Sequence, residues 1–492
     1  MLLSTLVAGL KGKLIGDNDT KDIYIENICY DSRKVLKDSL FVCIEGYHSD
    51  GHQFAMDAVN KGASALIVEK ELDVPCVQIK ADNSRAALAY VSSIFYNKPS
   101  DKLKMIGVTG TNGKTTITHM LKSIIDKKEA TGLIGTVGIQ IGDDDYLPVN
   151  NTSPESLEFQ HTLDKMVKAG INTVVSEVSS HGLEEHRVDY CDFDVAVFAN
   201  LSQDHLDFHK NMESYFNSKA KLFNKLKDKN SCSVINIDDQ YGSRLVNIVT
   251  SNVITYALED RTAHVVGAIT ERNKQGTQFT VSFQKQNIAI NLPMTGDFNV
   301  SNALAACAVA LSLGYDLHSI KRGLEDLKQI PGRLEKIDLG QKFSIYIDFA
   351  HTPDGLEKVL SNLSRIKENN LITVFGCPGN SDVEKRPIMA KIAQRYSDKV
   401  IVTMDNPKYE DPEEIVADIV KGFEKNIYET ITDREKAIMF TLEKAKANDI
   451  VLLAGKGHEN YQLIKGEKIP YSDKEVVYKF FAKGWKSEVA SE

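Results

Sequence analysis

Short apolar segments alternate with longer amphipathic segments along most of the chain. In the first hundred residues, apolar stretches at 40–44, 65–68 and 77–79 predict strands, and a helical pattern at 53–61 lies between the first two. The first residues carry no basic segment ahead of their apolar positions, so they predict a helix rather than a secretion signal. This pattern indicates a small α/β unit.

The same alternation continues through two further units. Apolar stretches at 105–106, 173–178, 195–199 and 233–236 predict strands separated by helices, residues 263–294 alternate like antiparallel strands, and a helix resumes at 299–313. Beyond Pro331-Gly332-Arg333, buried-type strands are predicted at 343–349, 371–375, 399–404 and 449–454. Such alternation is typical of parallel sheets whose active groups lie at the strand C-termini. The polar segment 96–100 and the turn at 331–333 give predicted domains 1–98, 99–331 and 332–492.

Bulk properties narrow the class of protein. A length of 492 residues exceeds one ordinary core and favours about three domains. No apolar stretch reaches the ~20 residues that span a bilayer, so we expect no membrane insertion. The seven cysteines include no Cys-x-x-Cys pair, which fits reduced thiols in a cytoplasm. The net charge of −9 argues against nucleic acid as a partner.

The most specific signal is the glycine-rich segment at 107–116, Gly-Val-Thr-Gly-Thr-Asn-Gly-Lys-Thr-Thr, between a predicted strand and a helix. Backbone N–H groups in such a turn bind phosphate, Lys114 would reach the outer phosphates, and the Thr115 hydroxyl would hold Mg²⁺. The alternative is a glycine turn with a chance lysine. We predict an ATP-binding P-loop domain, flanked by the small N-terminal α/β domain and a Rossmann-like C-terminal domain.

Polar residues follow the other strands of the middle unit. Glu177 ends one predicted strand, and His205 follows the next. Taken singly, Glu177 is most simply a solvated carboxylate at a strand end, and His205 is most simply a loop histidine. Because both belong to the sheet edge that carries the phosphate loop, we predict that they form a Mg²⁺ site with Thr115.

Several motifs, taken in order, resemble those of the Mur ligases. They are Tyr30-Asp31-Ser32-Arg33, the segment 46–51, Asn151-Thr152-Ser153-Pro154, the segment 177–187, Gly296-Asp297-Phe298-Asn299, Pro331-Gly332-Arg333 and the segment 348–353. Within that family they are similar to the enzymes that add the third amino acid to UDP-N-acetylmuramoyl-L-alanyl-D-glutamate. The resemblance covers nearly the whole chain.

The resemblance implies roles for individual residues. Contacts to the UDP-linked substrate are implied for Ser32, Tyr47, His48, Ser49, Asn151, Thr152, Ser153, Ser179, Glu185 and Arg187. The family usually has Gln at the position of Glu185. Contacts to ATP are implied for Gly110, Thr111, Asn112, Gly113, Lys114, Thr115, Thr116, Asn302, Arg333 and Asp348. Catalytic roles are implied for Lys114, Glu177, His205 and Lys219.

Lys219 aligns with a carbamylated lysine of the family, which would act as a carboxylate-like ligand to Mg²⁺. The plain alternative is an ordinary lysine on a helix surface. The incoming amino acid is expected at Arg386, Asp405, Asn406, Pro407, Lys408, Gly455 and Glu459. Family members that add meso-diaminopimelate normally have arginine at the position of Lys408, and a lysine supplies a point charge without the fork geometry.

The resemblance therefore implies an ATP- and Mg²⁺-dependent amide ligase of peptidoglycan precursor synthesis, expected as a monomer in a bacterial cytoplasm. Its expected partners are the UDP-muramoyl dipeptide and a free diamino acid, with meso-diaminopimelate favoured and L-lysine as the alternative. A folylpolyglutamate-type ligase shares the P-loop but lacks such a first domain. A P-loop GTPase would need a guanine-specificity motif, and intact Lys114, Glu177 and His205 argue against a non-catalytic scaffold.

Overall fold

The structure, a computed structural model, describes residues 1–10, 12–15, 23–47 and 49–482. Its N-terminal part folds around a five-stranded sheet in the order β1-β5-β4-β3-β2. The strands are β1 (Gly12–Ile15), β2 (Asn27–Cys29), β3 (Ser39–Val42), β4 (Ala63–Val68) and β5 (Val77–Ala81). The helices are α1 (Leu3–Val7), α2 (Ala55–Asn60) and α3 (Ser84–Phe95).

The middle part is built on a ten-stranded sheet in the order β15-β14-β13-β12-β11-β10-β6-β9-β7-β8. Its strands are β6 (Lys104–Thr109), β7 (Thr131–Ile134), β8 (Ile139–Ile141), β9 (Thr173–Glu177), β10 (Val195–Phe198), β11 (Cys232–Asn236), β12 (Asn252–Ala257), β13 (Val265–Asn273), β14 (Gly276–Phe283) and β15 (Gln286–Leu292). Its helices are α4 (Lys114–Ile125), α5 (Ser156–Lys168), α6 (Ser180–Glu184), α7 (Leu206–His209), α8 (Met212–Ala220), α9 (Gln240–Val246), α10 (Asp297–Ser312) and α11 (Leu317–Glu325).

This sheet is parallel at its centre and antiparallel at its ends. Strands β10, β6, β9 and β7 pair in parallel, whereas β8 pairs antiparallel with β7, and β13, β14 and β15 form an antiparallel extension. The predicted antiparallel character of residues 263–294 is thus confirmed. Apolar side chains pack on both faces, with α4 and α10 on one side and α5 and α8 on the other. The four neighbouring parallel strands end at the same edge of the sheet.

The C-terminal part has a six-stranded sheet in the order β16-β17-β21-β18-β19-β20 and a separate β22-β23 hairpin. The strands are β16 (Glu335–Ile337), β17 (Ser344–Asp348), β18 (Leu371–Phe375), β19 (Lys399–Val402), β20 (Tyr428–Thr430), β21 (Ile450–Ala454), β22 (Tyr461–Ile464) and β23 (Glu467–Pro470). The helices are α12 (Pro353–Ile366), α13 (Lys385–Tyr396), α14 (Pro412–Val420), α15 (Arg434–Lys444) and α16 (Asp473–Ala482).

The predicted class, three α/β units with a central P-loop sheet, is confirmed by this architecture. The sheets of the N-terminal, middle and C-terminal parts fall within the predicted ranges 1–98, 99–331 and 332–492, and the exact boundaries stay a prediction. Among the described residues, no helix has the length and apolar character needed to cross a membrane.

A buried ion pair joins the last helix to the C-terminal sheet. Arg434 and Asp473 are both fully buried, and the guanidinium donates to the two carboxylate oxygens at 2.8 and 2.7 Å. Arg434 also donates to the carbonyl of Ala454 at 2.8 Å, at the end of β21. The carboxylate of Asp473 raises the pKa of Arg434, against the effect of burial. The pair thus holds the strand end from which the glycine-containing loop at 455–459 leaves the sheet.

We expect Asp473→Ala to lower the free energy of unfolding by about 3–5 kcal/mol, because it leaves a buried guanidinium without its counter-charge. Chemical denaturation followed by circular dichroism measures this free energy, taken from the unfolding transition that occurs at the lowest denaturant concentration. Glu475→Ala, two residues along α16 and exposed, is the control and should change stability by less than about 0.5 kcal/mol. Equal stabilities of the two variants would contradict the structural role of the pair.

Candidate active site

The glycine-rich turn connects β6 to α4 at the C-terminal edge of the middle sheet. Gly113 has a φ of +89°, and a Cβ at this position would lie 2.3 Å from Oδ1 of Asn302. A side chain is therefore excluded both by backbone conformation and by space. Helix α4 begins at Lys114, so its free N–H groups and the positive end of its dipole face the turn.

Two buried lysines meet at one carbonyl oxygen of this turn. Nζ of Lys114 donates to Gly110 O and Thr111 O at 2.9 Å each, and Nζ of Lys219 donates to Gly110 O at 2.8 Å. Burial lowers the pKa of both amines. The nearby ammonium of Lys114 lowers the pKa of Lys219 further. The Lys219 side chain is 1% exposed and also lies over the Tyr215 ring. The alternative of a surface lysine is therefore wrong.

A cavity of about 280 Å³ opens beside the turn, between the middle and C-terminal parts. It is lined by most of the predicted ATP and metal residues, namely Thr111, Asn112, Gly113, Lys114, Thr115, Thr116, Glu177, His205, Asn302, Arg333 and Asp348. Thr152, predicted for the UDP-linked substrate, also lines it. The structure thus brings together side chains that are separated by more than two hundred positions in the sequence.

The C-terminal part contacts the phosphate turn directly. Arg333 donates to the Thr115 hydroxyl at 2.9 Å, and Nδ2 of Asn112 donates to Asp354 at 2.6 Å. Asp354 lies in the first turn of α12, which begins with the capping residue Thr352 followed by Pro353. Asp348 accepts the backbone N–H groups of Leu334 and Ala350. Asp348 therefore shapes the turn that carries Arg333.

The side chains around Glu177 show whether the predicted metal site has suitable ligands for Mg²⁺. Among the described residues, no group of three or more His, Cys, Asp and Glu side chains is arranged to hold a metal ion. Mg²⁺ needs few protein ligands, however, because it is commonly held by one or two carboxylates together with substrate phosphates and water. The oxygen atoms of Glu177 and Thr115 suit that arrangement. Ligation by His205, and by Lys219 after carbamylation, stays a prediction.

A charged network joins the N-terminal and middle parts where the UDP-linked substrate is predicted. The Tyr47 hydroxyl donates to Glu185 at 2.9 Å, and Glu185 pairs with Arg187. Arg187 also lies 2.9 Å from Glu155 and donates to Ser153 O at 3.1 Å. The cation of Arg187 is thus shared between two carboxylates.

The remaining residues predicted for this substrate are dispersed around the network. Ser153 accepts the backbone N–H of Ser179, and the Ser179 hydroxyl caps α6. Ser32 lies in a short 3₁₀ turn, while Ser49 and Asn151 are exposed. His48 lies outside the described residues. Their contacts with a substrate stay predictions.

Most residues predicted for the amino acid follow the ends of β19 and β21, whereas Arg386 lies in the first turn of α13. Asp405, Asn406 and Pro407 follow β19, and Gly455 follows β21. Nδ2 of Asn406 donates to Glu459 at 2.9 Å. Burial raises the pKa of Asp405, an effect that the nearby cation of Lys456 opposes.

Two cations of this region differ in how far they are available. Arg386 is 2% exposed and already pairs with Glu410 at 2.7 Å and Asp418 at 2.9 Å, so the chain itself neutralises its charge. The ammonium of Lys408 instead donates, within the part of the chain that the structure describes, to the Asn380 carbonyl at 3.4 Å and to no carboxylate. Binding of the amino acid by Lys408, and a role for Arg386 in direct contact, stay predictions.

The structure also reveals site residues to which the sequence analysis gave no individual role. Lys456 is fully buried and donates to Glu459 and Asn406. His458, Thr136 and Asp354 form contacts between the two parts of the site. The glycines around Lys456 and His458 give a local signal, since Gly-x-Gly punctuates a tight turn after a strand. Nothing local marks Thr136 or Asp354, because their importance depends on contacts made across the fold.

These features define a P-loop nucleotide site that a second α/β domain closes. Family models match along the chain, described as "Mur ligase family, catalytic domain" at residues 24–107, "Mur ligase middle domain" at 108–310 and "Mur ligase, glutamate ligase domain" at 332–457. The chain belongs to the Mur ligase family, whose members are ATP-dependent ligases.

Individual relatives match over nearly full length. The chain is 42% identical over 99% of its length to the UDP-N-acetylmuramoyl-L-alanyl-D-glutamate–2,6-diaminopimelate ligase of Caldanaerobacter subterraneus, covering 100% of that protein. It is 44% identical over 97% of its length to the enzyme of the same name from Bacillus velezensis, covering 98% of it. A solved structure of a ligase with that name superposes with a TM-score of 0.66 at 34% identity, covering 95% of this chain and 97% of the other.

Burial also gives the site region a defined pH response. It lowers the pKa of His205, His209 and His458 to about 4, from an ordinary value of 6.5. Between these values the unfolded chain binds more protons than the folded chain, so stability falls as the pH is lowered from 6.5 towards 4.

We expect the thermal midpoint to decrease between pH 7 and pH 4.5, and to decrease less steeply in His209→Gln, which removes one buried imidazole. Differential scanning calorimetry across this range measures both slopes. His318→Gln changes an exposed histidine and should keep the wild-type slope. An identical slope for His209→Gln and wild type would show that His209 does not contribute.

Proposed function

We propose that this chain joins 2,6-diaminopimelate to UDP-N-acetylmuramoyl-L-alanyl-D-glutamate with hydrolysis of ATP to ADP and phosphate, in the cytoplasm. The observation that carries the proposal is the cavity at which the phosphate turn, Glu177 and the C-terminal part meet. Relatives with this printed activity, at 42–44% identity over nearly the full length, support the choice of substrates.

The chemistry needs two displacements in sequence. A carboxylate oxygen of the D-glutamyl residue attacks the γ-phosphorus of ATP, which forms an acyl phosphate and releases ADP. The neutral amine of the diamino acid then attacks the acyl carbon to give a tetrahedral intermediate. The C–O bond to phosphate breaks, the nitrogen loses a proton, and amide and inorganic phosphate remain.

The protein contributes mainly position and charge to these steps. The N-terminus of α4 and the Lys114 ammonium lie where the phosphates of ATP would bind, and Arg333 reaches the same turn from the C-terminal part. Among the described residues, the hydrogen-bond acceptors of the Lys114 ammonium are the carbonyl oxygens of Gly110 and Thr111. Bound phosphates would replace these neutral partners with anionic ones, which are stronger acceptors.

Bound Mg²⁺ would neutralise part of the phosphate charge and orient the transferring group. Thr115 and Glu177 supply oxygen donors for it on this chain. Lys219 would add another if carbamylated, and its burial and lowered pKa favour the neutral amine that reacts with carbon dioxide. Burial of the resulting anion beside Lys114 would also remove the repulsion between the two ammonium groups.

The other functions considered receive less support. Folylpolyglutamate synthase from Mycobacterium tuberculosis superposes with a TM-score of 0.63, but at 17% identity and over 75% of this chain, which shows a shared fold alone. L-Lysine as the incoming amino acid would leave the ammonium of Lys408 without a distal carboxylate. We therefore favour meso-diaminopimelate, with the protein acting as a monomer.

We expect wild-type protein, incubated with ATP, Mg²⁺ and UDP-N-acetylmuramoyl-L-alanyl-D-glutamate, to prefer meso-diaminopimelate to L-lysine by at least about tenfold in kcat/KM. Lys408→Ala should lower this preference by about 10- to 100-fold, the effect of losing one hydrogen bond to a charged group. Product mass and phosphate release are the readouts. Lys425→Ala, an exposed lysine of the same part, is the control. A preference for L-lysine in wild type would contradict the assigned substrate.

We expect Lys219→Ala to lose most of the ligase activity, with partial recovery on adding short carboxylic acids that replace the lost carbamate. Lys221→Ala is a matched control, because Lys221 is exposed and pairs with Glu184 at the protein surface. It should retain activity within about twofold, as is usual for an exposed ion pair. A fully active Lys219→Ala protein would exclude the proposed role.

A further inference from the structure

The Glu177 carboxylate is held at both oxygen atoms by a single residue. The backbone N–H of Thr136 donates to Oε1 at 2.9 Å, and the Thr136 hydroxyl donates to Oε2 at 2.9 Å. Glu177 is fully buried. The preceding residue, Gly135, makes the approach possible, since a Cβ there would lie 2.3 Å from Oε1. Thr136 therefore defines the orientation of this carboxylate.

The C-terminal part holds Thr136 in turn. Nε2 of His458 lies 3.2 Å from the carbonyl oxygen of Thr136, although the two residues are 322 positions apart. Because a carbonyl can only accept, the Nε2 atom must carry the proton. Burial lowers the pKa of His458 to about 4, so the imidazole is neutral near pH 7. The His458 ring packs against Phe349 at a centroid distance of 5.3 Å, which limits its rotation.

The loop that carries His458 also carries the residues predicted to bind the incoming amine. The neighbouring residue, Glu459, accepts from Lys456 at 2.6 Å and from Asn406 at 2.9 Å. A change in the position of Glu459 would therefore move His458, because one peptide unit joins the two residues. The hydrogen bonds form a continuous path from Glu459's loop through His458 and Thr136 to Glu177.

We propose that His458 and Thr136 are positioning residues, which set the Glu177 carboxylate for phosphoryl transfer only when the C-terminal loop at 455–459 is docked on the middle domain. The inference rests on the proposed function and assigns it a coupling between the amino-acid loop and the phosphoryl site. Neither residue needs to touch a reacting atom. When the loop at 455–459 is not docked, the Thr136 carbonyl loses its hydrogen bond from His458. Thr136, the hydrogen-bond partner of Glu177, is then less constrained.

Side-chain geometry provides a discriminating pair of variants. The amide nitrogen of glutamine can take the place of Nε2 of His458, whereas the shorter side chain of asparagine cannot reach the Thr136 carbonyl. Thr136→Val keeps the backbone N–H and the side-chain volume but removes the hydroxyl donor. Thr136→Ser keeps that donor. Each damaging change thus has a conservative partner at the same position.

We expect His458→Asn and Thr136→Val to lower kcat by about 10- to 100-fold, the scale of a small misplacement in a preorganised site. KM for the UDP-linked substrate should stay within about twofold in His458→Asn, because the hydrogen bond of His458 goes to Thr136 and not to a residue predicted for that substrate. Thr136→Val also removes a contact at 3.0 Å with Thr152, which is predicted for that substrate, so its kcat is the readout that tests positioning. His458→Gln and Thr136→Ser should retain at least about a third of the wild-type kcat. The double variant His458→Asn/Thr136→Val should be no worse than the poorer single variant, since residues in one path are not additive.

A binding measurement separates positioning from general damage. The dissociation constant for ADP is measured by calorimetry with Mg²⁺ and with a chelator. The dissociation constant with chelator, divided by that with Mg²⁺, should be smaller in His458→Asn and Thr136→Val than in wild type and unchanged in His458→Gln and Thr136→Ser. The dissociation constant with chelator should be the same in all variants. His318→Gln, on the surface of α11, is the control for all measurements.

The outcomes decide the inference. Wild-type kcat in His458→Asn, equal losses in His458→Gln and His458→Asn, or additive losses in the double variant would each overturn it while ligase activity of wild type stands. Absence of ligation by wild-type protein with any diamino acid would instead contradict the proposed function itself.

Discussion

Two buried ammonium groups that share the carbonyl of Gly110 are the constraint on which the site depends. Lys114 and Lys219 are both buried, and burial lowers the pKa of both amines. Such an arrangement is costly unless an anion enters or one amine is neutralised. Phosphate binding meets the first condition and carbamylation the second. The same electrostatic demand would account for the predicted nucleotide binding at the turn and for the carbamylation proposed for Lys219.

The site is completed by contacts between domains rather than within one. Arg333, Asp354 and His458 come from the C-terminal part, and each reaches the phosphate turn or the residues beside it. Closure of this kind excludes water and assembles catalytic groups only after substrates are bound. In a reaction with a labile acyl phosphate, such assembly protects the intermediate from hydrolysis.

The charges around the two predicted substrate regions are balanced differently. Near the predicted site of the UDP-linked substrate, Glu155 and Glu185 both pair with Arg187, so the charge of this arginine is neutralised within the chain. In the amino-acid region, Arg386 likewise pairs with Glu410 and Asp418, whereas Lys408 has no carboxylate partner among the described residues. Under the proposed function, substrate choice at the amino-acid site would depend on Lys408, whose point charge tolerates more variation in geometry than an arginine fork.

The sequence by itself determined the three α/β units, the phosphate turn and the strand-end positions of Glu177 and Asp405, because these follow from local periodicity and from glycine and lysine spacing. It also indicated the family, through motifs that are contiguous in the chain. Tertiary structure decided that Lys219 is buried, that Arg386 is already paired and that Thr136 and His458 meet across 322 positions. Burial and pairing depend on which distant segments pack together, and no local pattern of hydrophobic and polar residues encodes that packing.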